Sequence, residues 1–371
     1  MATASRQAAL DSVVRLVADL YVVDATYQSG SEYVLALRSR FARTKSLELL
    51  RDRLNSAGYT YRISEQDESI TLQVDPKRKL RIPRLNIIMF ALTIVSIYIV
   101  PVFFRHVVYL PAGEAWDVTL TDLARGAGLE FAAAIVSILL VHEMGHFIAS
   151  RRRDIVTSWP FFIPAPNIIG TFGAVIKSKS PFWNRRDLIE VGAAGPIAGW
   201  IVAIGWLLFG LVNSRVVPVD SLVGPELAMT FSLRGESLLI QGLIPWLVGS
   251  APEGYAYVFS EAAFAGWVGL LVTAINMLPI GQLDGGHICY GLFGRDIQRK
   301  LGWAALIMLL ILGYYSMIWW LFAVLGLVVG VKHPPTLNDK FPVSRAAQTM
   351  GIVALVILVL SFTPIPFPTP W

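Results

Sequence analysis

Apolar residues are not spread evenly along this chain. Through the first 85 residues they alternate with polar ones at short intervals, and beyond that point they gather into long runs. Residues 7–22 and 44–57 repeat apolar side chains at the three-to-four residue spacing of amphipathic helices. Residues 59–65 and 69–74 alternate as two short strands do, around a polar turn at Gln66, Asp67 and Glu68. This stretch predicts a small soluble α+β head over residues 1–85. It holds no cluster of catalytic residue types, so a capping or recruitment role is expected of it.

The remainder, 86–371, predicts an all-α, multi-pass membrane domain. A spanning helix needs about 20 mainly apolar residues. Such runs fall at 86–104, 127–150, 188–212, 256–280 and 347–364. A further block at 301–331 would be roughly 45 Å long as one helix, beyond a hydrocarbon core of ~30 Å. A break near Gly313, Tyr314, Tyr315 and Ser316 makes it two short helices instead, for about six to seven spans in all. The apolar segment 238–249 is too short to cross and predicts an interfacial or re-entrant piece.

Charge sets the expected orientation. Only 15% of the 371 residues are charged, against about 25% in soluble proteins. Lys77, Arg78, Lys79, Arg81 and Arg84 precede the first apolar run, which predicts a cytoplasmic head. Arg151, Arg152 and Arg153, then Lys177, Lys179, Arg185 and Arg186, then Arg295, Arg299 and Lys300, all return to that side if the runs cross in turn. The net charge of +5 is explained by this topology and implies no nucleic-acid partner. The N-terminus lacks the apolar core of a signal peptide, so the first span is expected to direct insertion. Cys289 is the single cysteine, which excludes an intrachain disulfide.

The chemistry concentrates in His142-Glu143-Met144-Gly145-His146. Residues four apart share a helix face, so both imidazoles can reach one metal ion, and Glu143 stands beside them as a candidate base. Ionisable side chains cost about 2.5–3.5 kcal/mol each inside a spanning helix, and three together there call for a function. A catalytic zinc site normally has three protein ligands and an open position. The donor region for the third is Asn276 to His287, where Pro279 and several glycines break the helix after the 256–280 run. Asp284 and His287 lie three apart, and spacing alone leaves both open. His106 and His333 read as boundary residues.

These motifs, in this order, resemble the site-2 proteases, the intramembrane zinc metalloproteases. Gly170-Thr171-Phe172-Gly173-Ala174 resembles the family's loop after the first motif, and Ala193-Ala194-Gly195-Pro196 its third span. His333 to Asp339 resembles a branch, found in plastid and prokaryotic relatives, with an extra C-terminal span. The resemblance covers about residues 86–364. It implies one zinc per chain held by His142, His146 and Asp284, with Glu143 as general base. It further implies that Asn276 binds the substrate carbonyl or oxyanion, and that the partners are transmembrane protein substrates within the bilayer. Gly170 and Gly173 read equally well as turn glycines and as part of a re-entrant, substrate-holding hairpin. Two rivals from other classes are a metal-ion transporter and a non-catalytic binder of membrane helices. Transport leaves the Glu between paired histidines unexplained, and a non-catalytic relative would be expected to have lost Glu143 or a ligand.

Overall fold

The computed structural model describes residues 2–29, 32–40, 43–66, 69–78, 81–222, 230–231 and 235–367. At the N-terminal end, α1 (Ala2–Val17) and α2 (Arg43–Ala57) pack on one antiparallel sheet of β1 (Tyr21–Ser29), β2 (Glu32–Ser39), β3 (Tyr59–Gln66) and β4 (Ser69–Arg78), in the order β1-β2-β4-β3. Side chains two apart on a strand share a face. Leu35 therefore sits opposite Leu72, and Leu37 opposite Ile70, all buried. They meet Val13, Leu16, Leu50 and Leu54 of the two helices. Val156, from far downstream, completes this core.

The strands β3 and β4 lie close to their expected positions. The first helix ends at Val17, and Tyr21 and Val22 belong to β1 instead. The turn residues Asp67 and Glu68, and the basic Lys79, lie outside the described residues.

The rest is mainly helical. Among the described residues, three helices are long and apolar enough to cross a membrane: α3 (Arg84–Val107), α5 (Leu129–Arg152) and α6 (Arg185–Val212). Ile87, Ile88, Leu92 and Val95 on α3 stay exposed, as a lipid-facing surface requires. Between α3 and α5 lies α4 (Ala112–Ala124), which the apolar pattern did not signal. After α6 come α7 (Leu238–Leu247), α8 (Glu261–Asn276), α9 (Asp284–Phe293), α10 (Arg295–Leu312), α11 (Ile318–Val329) and α12 (Arg345–Ser361). The block 301–331 is thus broken into two helices, with Gly313 packed so closely on Trp320 that a Cβ there would overlap the indole.

Among the described residues, two small sheets complete the fold. One is a hairpin of β5 (Phe161–Pro164) and β6 (Thr171–Val175); the other joins β7 (Arg215–Pro218), β8 (Thr230–Phe231) and β9 (Tyr255–Val258). The hairpin read as one possibility around Gly170 and Gly173 takes its first strand from upstream, at Phe161–Pro164, and Thr171–Val175 is its second.

Helix α6 runs through the middle and packs against α5, α8, α9 and α12. Small residues bring the backbones together, as in membrane helix pairs. A Cβ on Gly210 would overlap Ala263, and one on Gly266 would lie 2.5 Å from the Leu207 nitrogen. This close packing is what brings α5 and the start of α9 to a common point.

Candidate metal centre

His142, Glu143 and His146 lie in the second half of α5, with His142 and Glu143 buried. Asp284 is the first residue of α9, where the helix N-terminus favours a carboxylate. The turn from α8 to α9 is held by several bonds. Gly281 N–H donates to the Val331 carbonyl (3.1 Å), and Leu283 N–H to that of Ile280 (3.0 Å). Gln298 Nε2 donates to the carbonyls of Pro279 (3.1 Å) and Val331 (3.0 Å). Gly281 takes a left-handed φ of 49° against the Gly330 carbonyl, and a side chain would not fit there.

The three donor atoms form an almost regular triangle. His142 Nε2 and His146 Nε2 are 3.1 Å apart, and each is 3.3 Å from Asp284 Oδ2. A tetrahedral ion with bonds of ~2.0 Å has donor–donor edges of about 3.3 Å. The triangle therefore fits three corners of such a site and leaves the fourth open. Among the described residues, His142, His146 and Asp284 are the one group of three or more donors close enough to hold a metal ion.

The surroundings orient these ligands. His146 Nδ1–H donates to the Val191 carbonyl on α6 (2.8 Å), which turns its Nε2 toward Asp284. Two glycines of α6 face the histidines. A Cβ on Gly195 would overlap the His146 ring, and one on Gly199 would lie 2.9 Å from His142 Cβ. Gly195 and Gly199 are thus part of the site. Their four-residue spacing, a small-residue packing motif, was the available signal in the sequence.

The other candidates divide. His287 is not in the donor group. Its Nδ1 lies 2.6 Å from Nε2 of His333, which is buried and no boundary residue. Burial and the neighbouring His333 push His287 down to about 3, so it is neutral near pH 7. His106 bonds Asp122 at 3.0 Å, far from the site in the chain's path. Asn276 is the half-buried last residue of α8. Glu190 is engaged by Arg153 and Arg186, an ion-pair role.

In the hairpin, Phe162 faces Ala174 and Pro164 faces Thr171, so Phe172 and Gly173 together oppose Ile163. This is a β-bulge, and Gly173 takes a positive φ of 88° within it. Nothing lies within 4 Å of a Cβ placed on Gly173, and Phe172 is 73% exposed. Gly170, at φ 83°, instead presses on α3, with Ser96 O 2.7 Å from its would-be Cβ. Among the described residues, β6 pairs with β5 on one side only.

Comparison with known proteins agrees with this geometry. The profile of peptidase family M50 matches residues 130–320, just over half of the chain, from the start of α5 through α10. The chain is 33% identical over 250 residues to "Probable zinc metalloprotease EGY1, chloroplastic" of Arabidopsis thaliana, a match covering 64% of this chain and 43% of that protein. It is 32% identical over 243 residues to the Arabidopsis thaliana protein named "Probable zinc metalloprotease EGY2, chloroplastic", covering 65% and 42%. The EGY2 protein of Oryza sativa subsp. indica is 29% identical over 353 residues, 92% of this chain and 63% of that one. The chain thus spans between about two fifths and two thirds of the length of these relatives. By the profile across its site helices, and by these relatives, the chain belongs to peptidase family M50, the site-2 proteases.

Proposed function

We propose that the chain is an intramembrane zinc metalloendopeptidase that cuts peptide bonds in or near transmembrane segments of other proteins. One observation carries the reading: His142 and His146, on a helix long enough to cross a membrane, form a metal-sized triangle with Asp284 of α9, and Glu143 stands beside the two histidines. Zinc is the ion that the relatives' names give for those proteins. When bound, zinc supplies Lewis acidity that brings water toward deprotonation near neutral pH.

The chain's own groups do the rest. His142, His146 and Asp284 hold the ion, and Glu143 accepts a proton from the attacking water and returns it to the leaving amine nitrogen. Asn276 donates to the oxygen that gains charge as the carbonyl is attacked. A helical substrate hides its scissile carbonyl, so it unwinds locally before cleavage. Its freed N–H and C=O groups are costly in lipid. The outer edge of β6 can pair with them by strand addition, with Gly173 giving room for close backbone approach and Gly170 shaping the turn.

In this reading residues 1–85 are a head, and 86–371 a protease domain of six to seven spans with β5–β6 re-entrant. The head and the site side face the cytoplasm, as the basic flanks favour. Membranes from cells carrying wild-type or Glu143→Gln protein provide the test. Uncleaved membrane proteins accumulate only with the variant if the reading holds; identical membrane proteomes overturn it.

A further inference from the structure

The hairpin stands on a stem, and the stem is gripped by the N-terminal sheet domain. The stem begins where α5 ends. Ile155 N–H donates to the Ser150 carbonyl (2.9 Å) and Asp154 N–H to that of Arg151 (3.4 Å), a Schellman closure of the helix. That closure needs a left-handed residue, and Asp154 fills the place with φ 55°, where glycine is usual. Asp154 keeps a carboxylate there, 3.8 Å from Arg15 on α1. The turn sends Val156 into the core formed by α1, α2 and the four-stranded sheet.

The two legs of the stem are paired with each other. Thr157 and Ser178 form an antiparallel bridge, Ser158 N–H donates to the Lys177 carbonyl (2.9 Å), and Lys179 N–H to that of Val156 (2.8 Å). They lead straight into β5 and β6. The head holds both legs. Arg53, buried and bound bidentately to Asp19 (2.6 and 2.8 Å), donates through Nε to the Lys179 carbonyl (3.0 Å). Lys179 Nζ reaches back to Asp52 (2.6 Å). Arg151, on the last turn of α5, donates to the Ser56 carbonyl at the end of α2 (3.0 Å).

We propose that the N-terminal head is an intramolecular clamp that grips the end of α5 and the stem of β5–β6, and so sets the hairpin's position relative to the His142–Glu143–His146 face. The contacts are of the kind that a passing collision does not make. One apolar side chain of the stem is buried in the head's core, and one arginine of the head is bound both to its own carboxylate partner and to a stem carbonyl. Head, stem and α5 therefore move as one body, and the hairpin is held from its base. The part of the inference that concerns cleavage rests on the proposed role of β6 as the substrate's docking strand; the mechanical part does not.

Amide hydrogen exchange on the full chain in detergent tests the mechanical part. Val156→Asp places a charge in the head's core, and Lys179→Glu sets like charges against Asp52. Both variants should speed exchange of the amides in 161–163 and 171–175 by about tenfold or more. Lys179→Glu combined with Asp52→Lys should return it toward wild type. Amides of Leu35 and Leu72 report whether the head itself stays folded, and Lys179→Glu is the deciding variant if Val156→Asp unfolds it. Hairpin exchange at the wild-type rate, while the stem amides at 156–158 and 177–179 exchange faster, overturns the clamp. Cleavage is then read separately: it should fall in Lys179→Glu with bound zinc retained and recover in the charge swap. Loss of hairpin protection without loss of cleavage refutes the docking role of β6 and leaves the clamp standing.

Discussion

His287 and His333, on α9 and in the segment after α11, share a hydrogen bond of 2.6 Å whose direction is set by a third group. His333 Nδ1 lies 2.5 Å from the Pro334 carbonyl, which can only accept. The proton is therefore on Nδ1, His333 Nε2 is the acceptor, and His287 Nδ1–H donates to it. Burial favours the neutral form of both rings, in keeping with this arrangement. The pair ties α9 to the segment after α11 and stands outside the metal-sized triangle.

It follows that His333→Ala leaves a buried N–H of His287 without its acceptor, a loss of about 1–3 kcal/mol in stability. Bound zinc should survive, as it should in His287→Ala, whereas Asp284→Ala should lose it. Metal analysis and thermal unfolding of the three purified variants check this. Zinc retained in Asp284→Ala but lost in His287→Ala would exchange the two assignments.

Gly195 and Gly205 lie on the same helix and give a matched pair. A Cβ on Gly195 would overlap the His146 ring, while one on Gly205 meets nothing within 4 Å. Gly195→Ala should weaken zinc binding on the order of 10–100-fold, the size of effect seen when groups behind a ligand are disturbed. Gly205→Ala should bind as wild type. Competition with a chelator of known affinity measures both.

Glu236 carries a pH signature of its own. Its carboxylate is buried, accepts from Trp267 Nε1 (2.9 Å), and is pushed up to about 7 by that burial. An ordinary carboxyl of the unfolded chain ionises near 4.5. The folded state therefore holds a proton that the unfolded state releases between these values. Stability from this group is complete below pH ~4.5 and falls as pH rises toward 7, by at most about 3 kcal/mol. Glu236→Gln should remove that slope, so its melting midpoint gains on wild type between pH 5 and pH 7.5. Parallel midpoints across that range would contradict it.

Sidedness is testable by cysteine labelling, since the one native thiol, Cys289, is buried. Cysteines at Ser178 and Thr336 should be reached by an impermeant reagent from the cytoplasmic side alone. Labelling of Thr336 from the opposite side would mean that α10 and α11 together cross only once.

The metal motif and the breaks around it were legible because chemistry and helix period coincide: His142 and His146 lie four apart, and Pro279 with its neighbouring glycines stops α8 short of Asp284. The break between α10 and α11 was legible from length against bilayer thickness. The strands β1 and β2 were not. Tyr21 and Val22 continue the apolar spacing of α1, and Leu35, Ala36 and Leu37 are good helix formers whose strand state comes from pairing with β4. Gly195 and Gly199 carried a packing motif, but only the facing histidines give it meaning. His333 was hidden for the same reason, because its partner lies 46 residues away. The head's grip on the stem rests on Val156 and Arg53, whose roles depend on contacts more than a hundred residues apart in the case of Arg53 and Lys179.

In the proposed reaction Glu143 moves the proton while His142, His146 and Asp284 hold the ion. Its most direct measurement is zinc content together with cleavage of a membrane-segment substrate, for purified wild-type, Glu143→Gln and His142→Ala protein. Wild type and Glu143→Gln should each hold about one zinc per chain. Cleavage in Glu143→Gln should be lower by at least 10²-fold, the low end of what a general base contributes, and both zinc and cleavage should be lost in His142→Ala. Cleavage by Glu143→Gln at the wild-type rate, with its zinc in place, would contradict it.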